Sequence, residues 1–240
     1  MDYPIDHSDI DIDDFWYSNR LDQYQRLIFT IEKHLVSSCK KIDAEVRDLN
    51  KRLEAHEKKH GSIKDYENSY FFHLFDGLVA DSGLYSTEFP NLVRCGLFLS
   101  IYGYLEHSLN SLCKQCQLDH DISVSDLRGS GLERAARYFR KAYGIKVPES
   151  VLRGAEFSLI QMIRNSLVHA SGEIPVELEK RFNNLSRECL LEREAELQEN
   201  GHVFLNANFL PWFIDRSREM FKGLCDELKA YLRSRSEQEE

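Results

Sequence analysis

From Leu21 to Glu57 the apolar residues Ile28, Ile31, Leu35, Ile42, Leu49 and Leu53 recur at spacings of three, four and seven. That is the step of a helix turning once every ~3.6 residues, whereas a strand changes face at every residue. No set of segments with the alternation that a sheet needs occurs elsewhere in the chain. The pattern predicts a long amphipathic helix over residues 19–60, with an apolar stripe that must be covered by something else. Gly61, after "HEKKH", marks the expected stop, because glycine enters the left-handed conformation cheaply and basic side chains suit a helix C-terminus.

The helical period returns in "NLVRCGLFLSIYGYLEHSLNSLCKQC", where Leu97, Ile101, Leu105, Leu109 and Leu112 form a wide stripe that suits a central helix. Gly77, Gly83 and Pro90 before it read as a loop. "SVSDLRGSGLERAARYFRKAYGI" is a third helical pattern, ended by Gly144 and Pro148. "PESVLRGAEFSLIQMIRNSLVHASG" is a fourth, with Pro148 or Glu149 near its first turn and Gly172 past its end. After a polar, Glu-rich segment, Gly201 turns the chain into "HVFLN", a short β element near 201–207. Pro211 suits the first turn of a last helix carrying Phe213, Ile214, Phe221, Leu224 and Leu228, and the "RSRSEQEE" end is expected to fray. The chain therefore reads as an all-α helical bundle: an acidic arm at 1–18, the long helix at 19–60, a helical domain over 66–235 and a frayed tail at 236–240.

At 240 residues and 42% apolar content the chain can build a sizeable core. No apolar run reaches the ~18 residues of a membrane span. Seven aspartates lie within the first 22 residues, where a signal or transit peptide would be basic, so the expected location is the cytosol with no membrane partner. Six scattered cysteines are then expected to stay reduced. Cys113 and Cys116 form a CxxC, but within a helical pattern and without a second pair; two more ligands would be needed for zinc, and only His107 and His120 are near in sequence. The expectation is buried thiols and no cofactor or metal. His56 and His60, in a charged run, read as surface residues, and His107 as a partly buried, hydrogen-bonded side chain.

A formal net charge of −9 argues against a broad nonspecific nucleic-acid surface, which must neutralise several phosphates. A local patch is compatible with it. "ERAARYFRKAYGIK" carries Arg134, Arg137, Arg140, Lys141 and Lys146, with Tyr138, Phe139 and Tyr143 interleaved. Arg134, Arg137 and Lys141 share a helix face; the stripe is either a solvated face or an RNA contact, and its aromatic neighbours either stack on unpaired bases or, in their commoner use, pack.

The densest candidate chemistry lies in "IRNSLVHASGEI", residues 163–174. With Ile160, Ile163 and Leu167 turned inward, a step of ~100° per residue puts Gln161, Met162, Asn165 and His169 on the other side, with Arg164 at the flank. Asn165 and His169 are one turn apart and within reach of Arg164. Such a set fits a cleft or a subunit contact; a solvated Arg164 and a His169 favoured by the helix dipole fit the spacing equally. P-loop, GxGxxG, HExxH and GxSxG signatures are absent.

An Arg, a polar residue, three more residues and a His at the end of an apolar helix, followed by Gly, resembles the motif of the HEPN family. "LFLSIYGYLEHSLNSLCK" is similar to the family's helix with a Glu, here Glu106, among apolar residues, and the resemblance covers roughly 66–235. It implies a metal-independent ribonuclease acting on tRNA or mRNA as a toxin or antiphage effector, with Arg164, Asn165 and His169 as catalytic residues and Glu106 in support. It also implies a homodimer whose two motif helices complete one cleft, and a partner such as an antitoxin or a larger defence protein. The alternative is a non-catalytic helical interaction module. Some members carry a modified Tyr two residues after the motif His; here Ser171 stands there, so that regulation is not expected. The acidic arm is either a solvated tail or a phosphate mimic lying over the cleft.

Overall fold

A computed structural model describes residues 15–61, 70–116, 122–129, 131–145, 154–189, 195–198 and 201–239. The expectations for residues 1–14 of the acidic arm, for His120, for Lys146 and for Pro148 and Glu149, together with the side chain of His60, fall outside the described residues. The described chain is all-α apart from one small hairpin. In order it forms α1 (Phe15–His60), α2 (Tyr70–Gly83), a π-helical turn (Leu84–Glu88), α3 (Phe89–Cys116), a 3₁₀ turn (Val124–Asp126), α4 (Gly131–Tyr143) and α5 (Gly154–His169). Then come α6 (Val176–Glu188), β1 (Ala195–Leu197), β2 (Val203–Leu205) and α7 (Phe209–Glu239). Among the described residues no helix is long and apolar enough to cross a membrane.

The chain splits into two compact units, one of Met1–Gln25 with Cys95–Glu240 and one of Arg26–Arg94. α1 and α3 each contribute residues to both units. The smaller unit buries Ile28, Leu35 and Leu49 from the α1 stripe. Arg94 donates through Nε and Nη2 to the two carboxylate oxygens of Glu32, at 2.7 and 2.8 Å, the planar fork that makes arginine pairs specific.

The expected loop over Gly77, Gly83 and Pro90 is helical instead. Glycine weakens a helix by only about 0.5–1 kcal/mol relative to alanine, which helical neighbours and packing offset. Pro90 has a visible local consequence: it has no N–H to give to the preceding turn, that turn widens to a π-helix, and the Tyr85 carbonyl accepts from Cys39 Sγ at 3.0 Å. Gly61 ends α1 as expected, with φ +82° and its N–H donating to the Glu57 carbonyl at 2.8 Å.

In the larger unit α3 is central, burying Phe98, Ile101, Tyr102, Leu105, Leu109 and Leu112. The Phe98 ring meets Phe213 and Phe209 of α7 with centroids 5.0 and 5.5 Å apart, distances typical of favourable aromatic pairs. Tyr17, at the start of α1, stacks on Phe221 at 4.1 Å. Gly144 closes α4 at φ +71°, and the Ile145 N–H reaches back to the Phe139 carbonyl at 3.2 Å, as in a Schellman cap.

The Glu-rich segment forms α6, which turns Phe182 and Ser186 inward; Ser186 Oγ donates to the Ala195 carbonyl at 2.8 Å and so ties α6 to the hairpin. β1 and β2 pair antiparallel with Glu196 opposite Phe204. α7 continues to Glu239, through the tail expected to fray. Propagating an existing helix costs little per residue, and Arg, Gln and Glu are good helix formers.

Candidate functional site

α5 turns Leu159, Ile160 and Ile163 into the core at 0% exposure. That anchoring fixes the rotation of the helix and leaves Arg164 half-buried, with Asn165 and His169 exposed on the outer side. Leu167, expected inward, is half-buried. At the other end of α5, Glu156 is buried at 4% exposure and lies 3.6 Å from Arg216 Nε of α7.

The chain reverses immediately after His169. Ser171 and Gly172 take φ +52° and +94° in succession, and the Ala170 and Gly172 N–H groups both donate to the Ser166 carbonyl, at 2.9 and 3.0 Å. Ser166 Oγ, buried, donates to the Glu173 carbonyl at 3.1 Å. The returning strand is then held on the hairpin: Val203 N–H donates to the Gly172 carbonyl at 2.9 Å and Ile174 N–H to the Gly201 carbonyl at 3.0 Å. His169 thus stands on a helix end fixed by backbone bonds on both sides.

A cleft of about 620 Å³ opens beside this turn. Its wall includes Arg164, Asn165 and His169 of α5, Glu173 of the returning strand and Arg181 of α6. Arg164 Nη1 donates to Asn165 Oδ1 at 3.0 Å and lies 3.4 Å from His169 Nε2. A guanidinium has no acceptor, so the second contact is a hydrogen bond when Nε2 carries its lone pair and the imidazole proton is on Nδ1. Spacing along the helix and the reach of arginine bring all three motif residues together.

Arg164 has a further neighbour on α3. Its guanidinium carbon lies 5.8 Å from the centre of the Tyr102 ring, within the range of a cation–π contact. Burial pushes the Tyr102 phenol up to about 12, and the Glu106 carboxylate adds to the shift while Arg164 opposes it. Tyr102 is therefore a neutral phenol under a cation. Glu106, one turn further along α3, does not line the cleft. A side chain placed on Gly131 would meet Glu106 Oε1 at 2.8 Å, and Gly131 has φ +53°. The carboxylate lies against the first residue of α4, where the helix dipole favours negative charge, and it also raises the Tyr102 phenol.

The predicted RNA stripe looks different in three dimensions. Arg134 donates through Nε and Nη2 to the Gly129 carbonyl at 2.8 and 2.6 Å, and Arg137 pairs with Glu133. Arg140 and Lys141 are exposed in the last turn of α4. None of the four lines the cleft. The interleaved Tyr138, Phe139 and Tyr143 are buried at 0, 0 and 6% exposure, which decides for packing over base stacking: they form the packed face of α4, and Tyr143 Oη donates to the Cys116 carbonyl at 2.7 Å.

The remaining candidates resolve simply. Cys113 and Cys116 are buried and not joined in a disulfide, and burial pushes the Cys113 thiol well above its ordinary range, away from nucleophilic chemistry. His107 is exposed rather than part-buried, because it lies on the far side of α3 from Leu105 and Leu109; His56 is half-buried rather than fully on the surface. Among the described residues no group of three or more His, Cys, Asp and Glu side chains could hold a metal ion. Sequence reasoning missed Tyr102 as the partner of Arg164 and Arg181 as a cleft residue; the first is distant in sequence, and the second sits in a segment with little apolar period to orient it.

No protein-family model, no curated protein and no solved structure matches the chain.

Proposed function

We propose that this cleft is the active site of a metal-independent endoribonuclease of the HEPN type, acting on tRNA or mRNA as a toxin-like or defence effector. The observation that carries the reading is the meeting of Arg164, Asn165 and His169 on one cleft wall, with the Arg164 guanidinium between the other two. Transesterification of RNA needs three things: a base for the ribose 2′-OH, compensation of charge on the phosphate, and a proton for the departing 5′-oxygen. The 2′-oxygen bonds to phosphorus as the bond from phosphorus to the 5′-oxygen breaks, leaving a 2′,3′-cyclic phosphate and a 5′-hydroxyl.

Each motif residue has a matching role. As the Arg164 guanidinium turns its N–H groups from His169 to the non-bridging oxygens, the freed Nε2 lone pair of His169 takes the 2′-OH proton, and Asn165 holds the guanidinium through its Oδ1. The wall of one copy includes a single imidazole, His169, whereas the reaction uses both a base and an acid. A second copy bringing its own motif to the cleft supplies the other proton-transfer group, which supports a homodimer.

The exposed Leu27, Phe29 and Val36 of α1 favour a second reading, a non-catalytic interaction module of a defence or regulatory complex. Incubation of the protein with total tRNA and mRNA in EDTA separates the two. Cleavage to cyclic-phosphate ends that disappears in His169→Ala supports the enzyme; intact RNA with a folded protein supports the module.

A further inference from the structure

We propose that Arg181 of α6 holds a second phosphate of the bound strand, adjacent to the one gripped by Arg164, so that the site recognises a single-stranded ribonucleotide chain with at least two consecutive phosphates. The inference rests on the ribonuclease reading of the cleft. It starts from where the cations lie relative to the cleft. Of the stripe on α4, Arg134 and Arg137 are bonded to Gly129 and Glu133, and the exposed Arg140 and Lys141 do not line the cleft. Arg181 is exposed, lines the same cleft as the motif, and makes no ion pair with a described residue, although Glu177 stands one turn before it.

The cleft wall therefore carries two guanidinium groups against one carboxylate, Glu173, on a chain whose formal net charge is −9. Two planar cations on separate helices give two anchoring points, and phosphates repeat along a nucleic acid strand. The same wall includes Met162, Ile174 and Leu178, an uncharged surface on which a base can lie. Glu173 is an acceptor for a ribose hydroxyl or an exocyclic amino group. A simple anion site needs neither the apolar surface nor the carboxylate; a nucleotide chain uses both.

The test compares the full-length wild type with Arg181→Ala and Arg181→Glu in two assays. In the first, a fluorescein-labelled hexadeoxynucleotide, which lacks the 2′-OH and so is not cleaved, is titrated by fluorescence anisotropy at several salt concentrations. Arg181→Ala is expected to bind on the order of tenfold more weakly, with the slope of log K against log salt shallower by about 0.7; Arg181→Glu weakens binding further. In the second, cleavage of a trinucleoside diphosphate and a dinucleoside monophosphate is compared. The wild type prefers the longer substrate, and Arg181→Ala loses that preference through KM while kcat for the longer substrate holds.

An unchanged salt slope, an unchanged substrate preference, or no binding of the oligonucleotide by the wild type overturns the second phosphate site. If RNA is still cleaved in that case, the ribonuclease reading stands without it. Binding that depends on Arg181 with no RNA cleavage by the wild type has the opposite meaning: the anchor stands as a strand-binding contact, and the ribonuclease reading falls.

Discussion

Ile163 and His169 lie two turns of one helix apart at most, yet their replacement should have opposite consequences. Ile163 is fully buried, and Ile163→Ala removes about three methylene-sized groups at about 0.8 kcal/mol each, or roughly 2.4 kcal/mol of transfer free energy. A cavity that does not collapse raises the loss within a range of about 2–5 kcal/mol. His169 is exposed on the cleft wall, so His169→Ala opens no cavity and should shift stability by less than about 0.5 kcal/mol. Its rate of RNA cleavage should nevertheless fall by on the order of 10² or more. Urea unfolding followed by circular dichroism reads the first quantity, and initial rates on RNA in EDTA, at a temperature where both variants are folded, read the second. Ile163→Ala should lower the urea midpoint and, while folded, keep most of the rate. The reasoning is refuted if His169→Ala lowers the midpoint as far as Ile163→Ala does, or if it folds normally and cleaves at the parental rate.

The Arg164 contact with Tyr102 predicts that Tyr102→Phe, which keeps the ring, retains most activity, whereas Tyr102→Leu loses a contact of about 0.5–2 kcal/mol and hence about 2- to 30-fold in kcat/KM; equal losses in the two variants argue against the contact. The raised Tyr102 phenol, pushed up to about 12 by burial first and Glu106 second, keeps its proton in the folded state after the unfolded chain has lost it near pH ~10. The stability it contributes is complete below pH ~10 and is lost as pH rises through about 12, so urea midpoints should fall across that window and fall less steeply in Tyr102→Phe. Light scattering at micromolar concentration should give twice the chain mass of 28.1 kDa; a strict monomer with full activity removes the composite cleft.

Where the sequence carried enough apolar contrast, the fold was legible. The stripes of α1 and α3, the stops at Gly61, Gly144 and Gly172, and Pro211 in the first turn of α7 all appear where periodicity and cap chemistry put them. The inward face of α5 was legible for the same reason, and with it the exposure of Asn165 and His169. α2 was hidden by Gly77 and Gly83, whose cost in a helix is smaller than their reputation as loop markers implies. α6 was hidden for a different reason: of its residues only Phe182 and Ser186 are buried, too few to show a period among glutamates. Over α4 the sequence left open whether the aromatics of "RYFRKAY" stack or pack; the steps from Tyr138 and Phe139 to Tyr143 put the rings on the inner face and the cations on the outer one.

The site shows the same division between local and distant information. Arg164, Asn165 and His169 lie within six residues, so helix spacing and the reach of the Arg164 side chain bring them together. Tyr102 reaches Arg164, and Arg181 reaches the cleft wall, from α3 and α6, and no local pattern encodes either placement. The division bears on how an acidic chain would hold the proposed RNA strand. Net charge governs long-range attraction, and at physiological ionic strength that attraction is screened beyond ~8 Å. Within the cleft, two guanidinium groups and one carboxylate set the local field, and the −9 of the whole chain acts mainly to weaken nonspecific encounters. A site built this way favours a few defined phosphate contacts over a broad basic surface, so its affinity for RNA should depend on salt through about two phosphates rather than many.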